Sequence, residues 1–230
     1  MKRTINLYLL AGLVLLFSCE LDNYPAPDII LEGKVIDATT GETIQTRQPD
    51  GIKIRLLEEG YENPVPYDFW TKSDGSFRNT RIFAAKYRAV AVEGPFEQSS
   101  VEELSVDLTG NQTVVFEVEP FVRLSEVEIS KTSGGIRASY KISQTTSTKK
   151  ILKSMLIVGS SDILHQTTTN KLSSAENSLE DIANKDIGFM SFVDEVGNLT
   201  PGKTYFARVA VLTDNTLNRY NYSPIIEIEL

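Results

Sequence analysis

Leu199-Thr200-Pro201-Gly202-Lys203-Thr204-Tyr205-Phe206-Ala207-Arg208-Val209 decides how this chain folds. Pro201-Gly202 is a turn pair, with proline fixing one φ and glycine free to take a positive one. Tyr205 follows three residues later. Its hydroxyl can reach back to the backbone just upstream while its ring enters a core. From there Tyr205, Ala207, Val209 and Val211 recur at every second position, which places them on one face of a strand.

Outward from this stretch the same period continues. Tyr222-Ser223-Pro224 leads into a terminal strand with Ile226, Ile228 and Leu230 inward. Strand-like runs precede it at 124–129, 136–142 and 151–158, with Ser133-Gly134-Gly135 turning between the first two. Residues 171–185 do not read as strand. Ser173 and Glu176 have the spacing of a capping box, and Leu179, Ile182 and Ala183 make a short apolar stripe. A brief helix or ordered insertion is expected there, before a strand near 189–193.

The first half is built the same way. A strand over 31–37 ends at Thr39-Thr40-Gly41. Ile52, Ile54 and Leu56 alternate with Lys53 and Arg55, and Tyr87, Ala89 and Ala91 alternate again. Val114, Phe116 and Val118 form the last inward row. Glu119-Pro120 is a short boundary that predicts two domains packed end to end with little hinge freedom. The expected fold is all-β: two tandem β-sandwiches at 29–119 and 121–230, the second carrying the insertion near 171–185.

Resemblances to known families follow. The 199–209 stretch resembles the tyrosine corner and following strand of fibronectin type III domains. Gly33-Lys34-Val35-Ile36-Asp37 with Thr40-Gly41-Glu42, then Asp74-Gly75-Ser76-Phe77 and Lys86-Tyr87-Arg88-Ala89, resemble carboxypeptidase-regulatory-like domains, which are seven-stranded prealbumin-like sandwiches. That likeness implies a fold and no peptidase chemistry. The segment from 59 to 70 is longer and more aromatic than that pattern. Residues 19 to about 125 also resemble a Bacteroidetes lipoprotein family of unknown function, whose members accompany glycan importers of the starch-utilisation type.

The N-terminus carries an address. Lys2 and Arg3 precede an apolar run over 7–17, too short to span a bilayer comfortably. Ser18-Cys19 resembles the lipobox of bacterial lipoproteins, which implies a signal peptide over 1–18 and a lipid on Cys19, the only cysteine. Glu20 and Asp22 resemble the surface-export signal of Bacteroidetes lipoproteins. Asn23 to Asp28 reads as an extended spacer, completing a tether over 19–28. The expected location is the outer membrane, lipid-anchored and facing outward. Cleavage would take the 23 basic residues to 21 against 31 acidic ones, a formal charge of −10. That charge argues against nucleic acid as a partner, since such binding rests on neutralising phosphates.

Chemistry-bearing motifs are sparse. His165 is the only histidine and sits in a polar stretch, so Ser/His and His-metal sites lack parts. Glu58-Glu59, Glu102-Glu103 and Asp194-Glu195 read as solvated faces rather than a glycosidase pair. No metal or cofactor set and no catalytic residue is apparent. Aromatic residues are the better candidates, because flat rings complement the C–H faces of sugars. Tyr61, Tyr67 and Trp70, with Phe69, cluster in one Pro-rich segment, and Tyr220 lies in the presumed loop before the last strand. The bland alternative is that Phe69 and Trp70 cap a core or fill the domain junction. The expectation is a non-catalytic lipoprotein that assists glycan capture or import. An assembly protein that binds a protein partner through a sheet edge is the other reading.

Overall fold

The computed structural model describes residues 25–230; the expected signal peptide, Cys19, Glu20 and Asp22 lie outside the described residues. Nearly all regular structure is strand. The first sandwich comprises β1 (Ile29–Asp37), β2 (Lys53–Glu58), β3 (Tyr67–Trp70), β4 (Ser76–Ile82), β5 (Lys86–Glu93), β6 (Leu104–Asp107) and β7 (Gln112–Val118). One sheet has the order β4-β1-β7, the other β3-β2-β5-β6. β7 lies parallel to β1, from Leu31 opposite Gln112 to Asp37 opposite Val118. The alternation read from the sequence closes this core: Ile52, Ile54, Leu56, Ala89, Ala91 and Phe116 are buried between the sheets. The turn into β4 depends on Gly75 at φ +76°, while the Asp74 carboxylate accepts from the Ser76 backbone N–H at 3.0 Å.

The second sandwich comprises β8 (Val122–Thr132), β9 (Gly135–Gln144), β10 (Ile151–Gly159), β11 (Lys171–Ser178), a one-turn helix α1 (Asn184–Ile187), β12 (Ser191–Val196), β13 (Thr204–Thr213), β14 (Tyr220–Tyr222) and β15 (Ile226–Glu229). Its sheets run β12-β9-β8 and β11-β10-β13-β14, with β15 also paired to β13. The opening turn behaves as its chemistry requires. The Tyr205 hydroxyl accepts from Thr200 N–H at 2.8 Å and donates to the Thr200 carbonyl at 3.2 Å. Tyr205, Ala207, Val209 and Val211 all enter the core.

Several sequence expectations are corrected. Residues 171–178 form a strand, not a helix, and the only helix in the predicted insertion is α1. β11 is polar because it lies at the end of its sheet, where Ser and Asn suffice so long as the backbone pairs with β10. It reaches the interior through Asn177, which donates to Asp194 at 2.8 Å. The Tyr140 hydroxyl meets Asp194 Oδ2 at 2.8 Å and Ser154 Oγ at 2.7 Å. Asp194 is therefore buried in a polar closure of the sandwich rather than part of a solvated face. At the C-terminus Ile228 is buried as read, but Ile226 is exposed.

The domains do not meet simply end to end. Phe206, Arg208, Ala210 and Leu212 occupy the face of β13 opposite its core-facing residues. There Met155, Ile157, Leu164, Ala210, Leu212, Tyr220 and Tyr222 form a further buried cluster. The first domain and the 160–170 loop supply cover for this second face, with Arg208 hydrogen-bonded to Thr46 and Leu164.

Candidate functional site

Three arginines of the second domain reach the first. Arg123 pairs with Asp37, Nη2 to Oδ1 at 2.8 Å, and with Glu119 at 3.0 Å. Burial pushes the Asp37 carboxyl up, but the hydrogen bond from Arg123 and the Thr39 N–H outweigh it and hold the group below its usual range. Arg208 is fully buried and donates only to carbonyls: Ser223 at 2.9 and 3.1 Å, Thr46 at 2.8 Å and Leu164 at 3.3 Å. Burial lowers its pKa to about 10, which leaves it charged at neutral pH. Arg219 donates to the Asp50 carbonyl at 2.7 Å, and to Asp50 and Glu93 carboxylates at 3.2 Å each.

Trp70 stands at the rim of this junction. It ends β3 opposite Lys53, whose Nζ lies 4.8 Å from the indole centroid, and Arg219 Cζ lies 5.3 Å from it. The residue is 38% exposed. Lys53 also pairs with Glu93, and Arg47 with Asp50. Charges therefore alternate Lys53, Glu93, Arg219, Asp50, Arg47 across the domain boundary. Burial pushes the Glu93 and Asp50 carboxyls up, and the neighbouring cations (Lys53 and Arg219 for Glu93, Arg47 and Arg219 for Asp50) hold both below their usual range. Next to Trp70 on β3, Asp68 makes a two-pronged pair with Arg55 at 2.7 and 2.8 Å. The result is one partly open indole ringed by oriented donors and acceptors from both domains.

The other predicted aromatics do not join it. Tyr67 and Phe69 share the opposite face of β3, since side chains alternate along a strand. Phe69 packs on the core beside Phe77 at 5.7 Å, and Tyr67 accepts from Asn79 at 3.1 Å. Tyr61 is 65% exposed in the loop between β2 and β3. Tyr220 is not in a loop. It is buried in β14 and stacked on Tyr222 at 5.8 Å, so it presents no open ring. His165 sits half-buried in the 160–170 loop, with its pKa lowered by burial and then by the Arg47 charge.

Sequence reasoning missed Arg208 and Arg219. The signal was present in the outward positions of β13 and in the near-continuous apolar run of β10, which mark a sheet covered on both faces.

A second concavity of 710 Å³ opens on the junction between the 37–45 segment, β8 and residues 221–224. A smaller one of 210 Å³ lies between the 92–98 and 215–217 segments.

Comparison with known proteins places this architecture. Among functionally curated proteins none matches the chain. A DUF3823 family protein from Bacteroides uniformis superposes with a TM-score of 0.75 at 22% identity, covering 89% of this chain and 100% of its own. One from Parabacteroides merdae gives 0.74 at 24%, with the same coverage. A further Bacteroides uniformis structure, described as a "putative carbohydrate binding protein", gives 0.69 at 20%, covering 89% and 100%. At such identities the likeness shows the fold. The profile of the protein of unknown function (DUF3823) N-terminal domain matches residues 29–119, and that of the domain of unknown function DUF3823_C matches 122–227. The chain thus belongs to the DUF3823 family and carries both its N-terminal and its C-terminal domain.

Proposed function

We propose that this protein is a non-catalytic, lipid-anchored carbohydrate-binding protein of the outer membrane that assists glycan capture or import. The observation that carries the reading is Trp70: the only tryptophan of the chain, partly open, held at a two-domain rim among Lys53, Arg219, Glu93 and Asp68. An indole face matches the apolar face of a pyranose, and the surrounding charged groups bond its hydroxyls. The carbohydrate-binding description of a structural neighbour agrees with this reading. The proposed anchor is Cys19, and its lipid would raise the local concentration of the site at an importer. The apolar run, the lipobox-like Ser18-Cys19 and the acidic residues after it support that placement.

The test is a glycan array with the soluble fragment beginning at Glu20, read out by Trp70 fluorescence. Saturable binding that shifts the emission supports the proposal. Silence across plant, host and microbial polysaccharides sinks it.

A further inference from the structure

The 710 Å³ concavity differs in kind from the Trp70 rim. Every residue from 122 to 127 lines it. A strand that shows a face to a cavity contributes alternate residues. A continuous run means that the cavity follows the strand's edge, where the backbone is presented. β8 is last in the order β12-β9-β8, so its other edge has no strand partner among the described residues. The facing wall is a second extended segment, Thr43 to Gln45, attached to β1 only by the bridge between Thr43 and Ile36.

The edge is also delimited. Val122 to Ser125 stay in unbroken register with Gln144 to Lys141, and the register then shifts before Glu128. Glu126 in this bulge takes φ +49°, a left-handed backbone that side-chain-bearing residues rarely adopt. Such a bulge stops continued pairing and so limits the free edge to four residues. Charge on the walls is uneven. Asp37, Glu42 and Glu126 face the cavity with one guanidinium, that of Arg123, which is already engaged by Asp37 and Glu119, while Glu126 accepts from Lys141 at 2.8 Å at the surface, so that these four acids stand against two cations. Glu42 has no ion-pair partner among the described residues.

We propose that this cleft accepts a short extended segment of a partner protein, basic at alternate positions, which adds as a strand to Val122–Ser125 beneath the 43–45 wall. Main-chain hydrogen bonds supply the affinity and the acidic walls choose the sequence. The proposal does not depend on carbohydrate binding.

The probe is an array of hexapeptides with lysine at every second position and valine, isoleucine or threonine between, screened against the chain from Glu20 onward. Saturable binding is expected, with amide exchange slowed at 122–125. N-methylation of alternate peptide amides should abolish it, because strand addition needs those donors. Replacing lysine by glutamate in the peptide, or Glu42→Lys with Glu126→Lys in the protein, should weaken it about tenfold or more, the ~1.4 kcal/mol that one or two lost charge contacts represent. Both variant sites are exposed, so folding is expected to survive. Absence of binding across the array overturns the proposal, as does undiminished binding of N-methylated peptides. Maltoheptaose slowing exchange at 122–125 when no peptide does would assign the cleft to sugar instead.

Discussion

The Arg208 guanidinium lies 4.0 Å from the ring centroid of Tyr222, and the Tyr222 hydroxyl in turn donates to Gln166. The pair sits where β13, the strand after the tyrosine corner, meets the other domain. An arginine buried without a carboxylate persists there because four N–H···O=C contacts and an aromatic face replace its water.

Arg208→Met should therefore destabilise the whole chain. Three backbone carbonyls would lose a buried donor, at ~1–3 kcal/mol for each one left unsatisfied. Urea unfolding should show a loss on the order of 3 kcal/mol or more. Arg208→Lys should not restore it, since the bonds leave from three separate nitrogens of a planar fork and the three donors of an ammonium radiate from a single atom.

Acid should loosen the junction. Asp37, Asp50 and Glu93 have folded pKa values below the ordinary 3.8, 3.8 and 4.5. The unfolded chain takes up their protons first, so the stability they give is present above those ordinary values and is lost as pH falls through the lower folded ones. Thermal unfolding from pH 7 to 3 should show a midpoint steady above about 5 and falling steeply below 4.5. Arg219→Gln should flatten part of that fall.

Trp70→Ala should separate ligand binding from folding. The ring is partly open and its cation contacts are worth roughly 0.5–1 kcal/mol each, so a stability cost of about 1–2 kcal/mol is expected. Glycan binding should vanish. A loss of 4 kcal/mol or more in urea unfolding would instead make the ring a core residue.

Tyr205→Phe removes the two bonds to Thr200 while keeping the ring. A cost of about 1–3 kcal/mol is expected, with faster amide exchange at Thr200 and little change at Trp70.

Tyr140→Phe tests the polar closure of the second sandwich. The buried Asp194 would keep Asn177 and lose its other donor, at about 1–3 kcal/mol. Asn177→Ala should weaken the same variant less than additively, because both act on one carboxylate.

Much of the fold was legible from period two alone. Ile52, Ile54 and Leu56, or Tyr205, Ala207 and Val209, announce a strand with one buried face. β11 was not legible, because its half-buried face is Lys171, Ser173, Ala175 and Asn177, with no large apolar residue, and the partner of Asn177, Asp194, is known only in three dimensions. Ser173 and Glu176 then mimicked a helix start. The site was half legible. Composition marked Trp70, but the segment containing Tyr67 and Trp70 proved to be a strand that turns them to opposite faces. Tyr220 was misplaced because Asn218, Arg219 and Asn221 read as a loop. In the structure Arg219 and Asn221 are hydrogen-bonded to the first domain, Asn221 to the Pro95 carbonyl at 2.9 Å.

The parallel pairing of β1 with β7 bears on mechanics. The first sandwich begins at one end of that ladder, at Ile29, and leaves from the other, at Val118. A pull applied between its two ends is directed along both strands in opposite senses. It loads all the rungs from Leu31–Gln112 to Asp37–Val118 together, in shear, instead of peeling them one at a time. A domain so wired should resist stretching between its two ends far better than its modest size suggests.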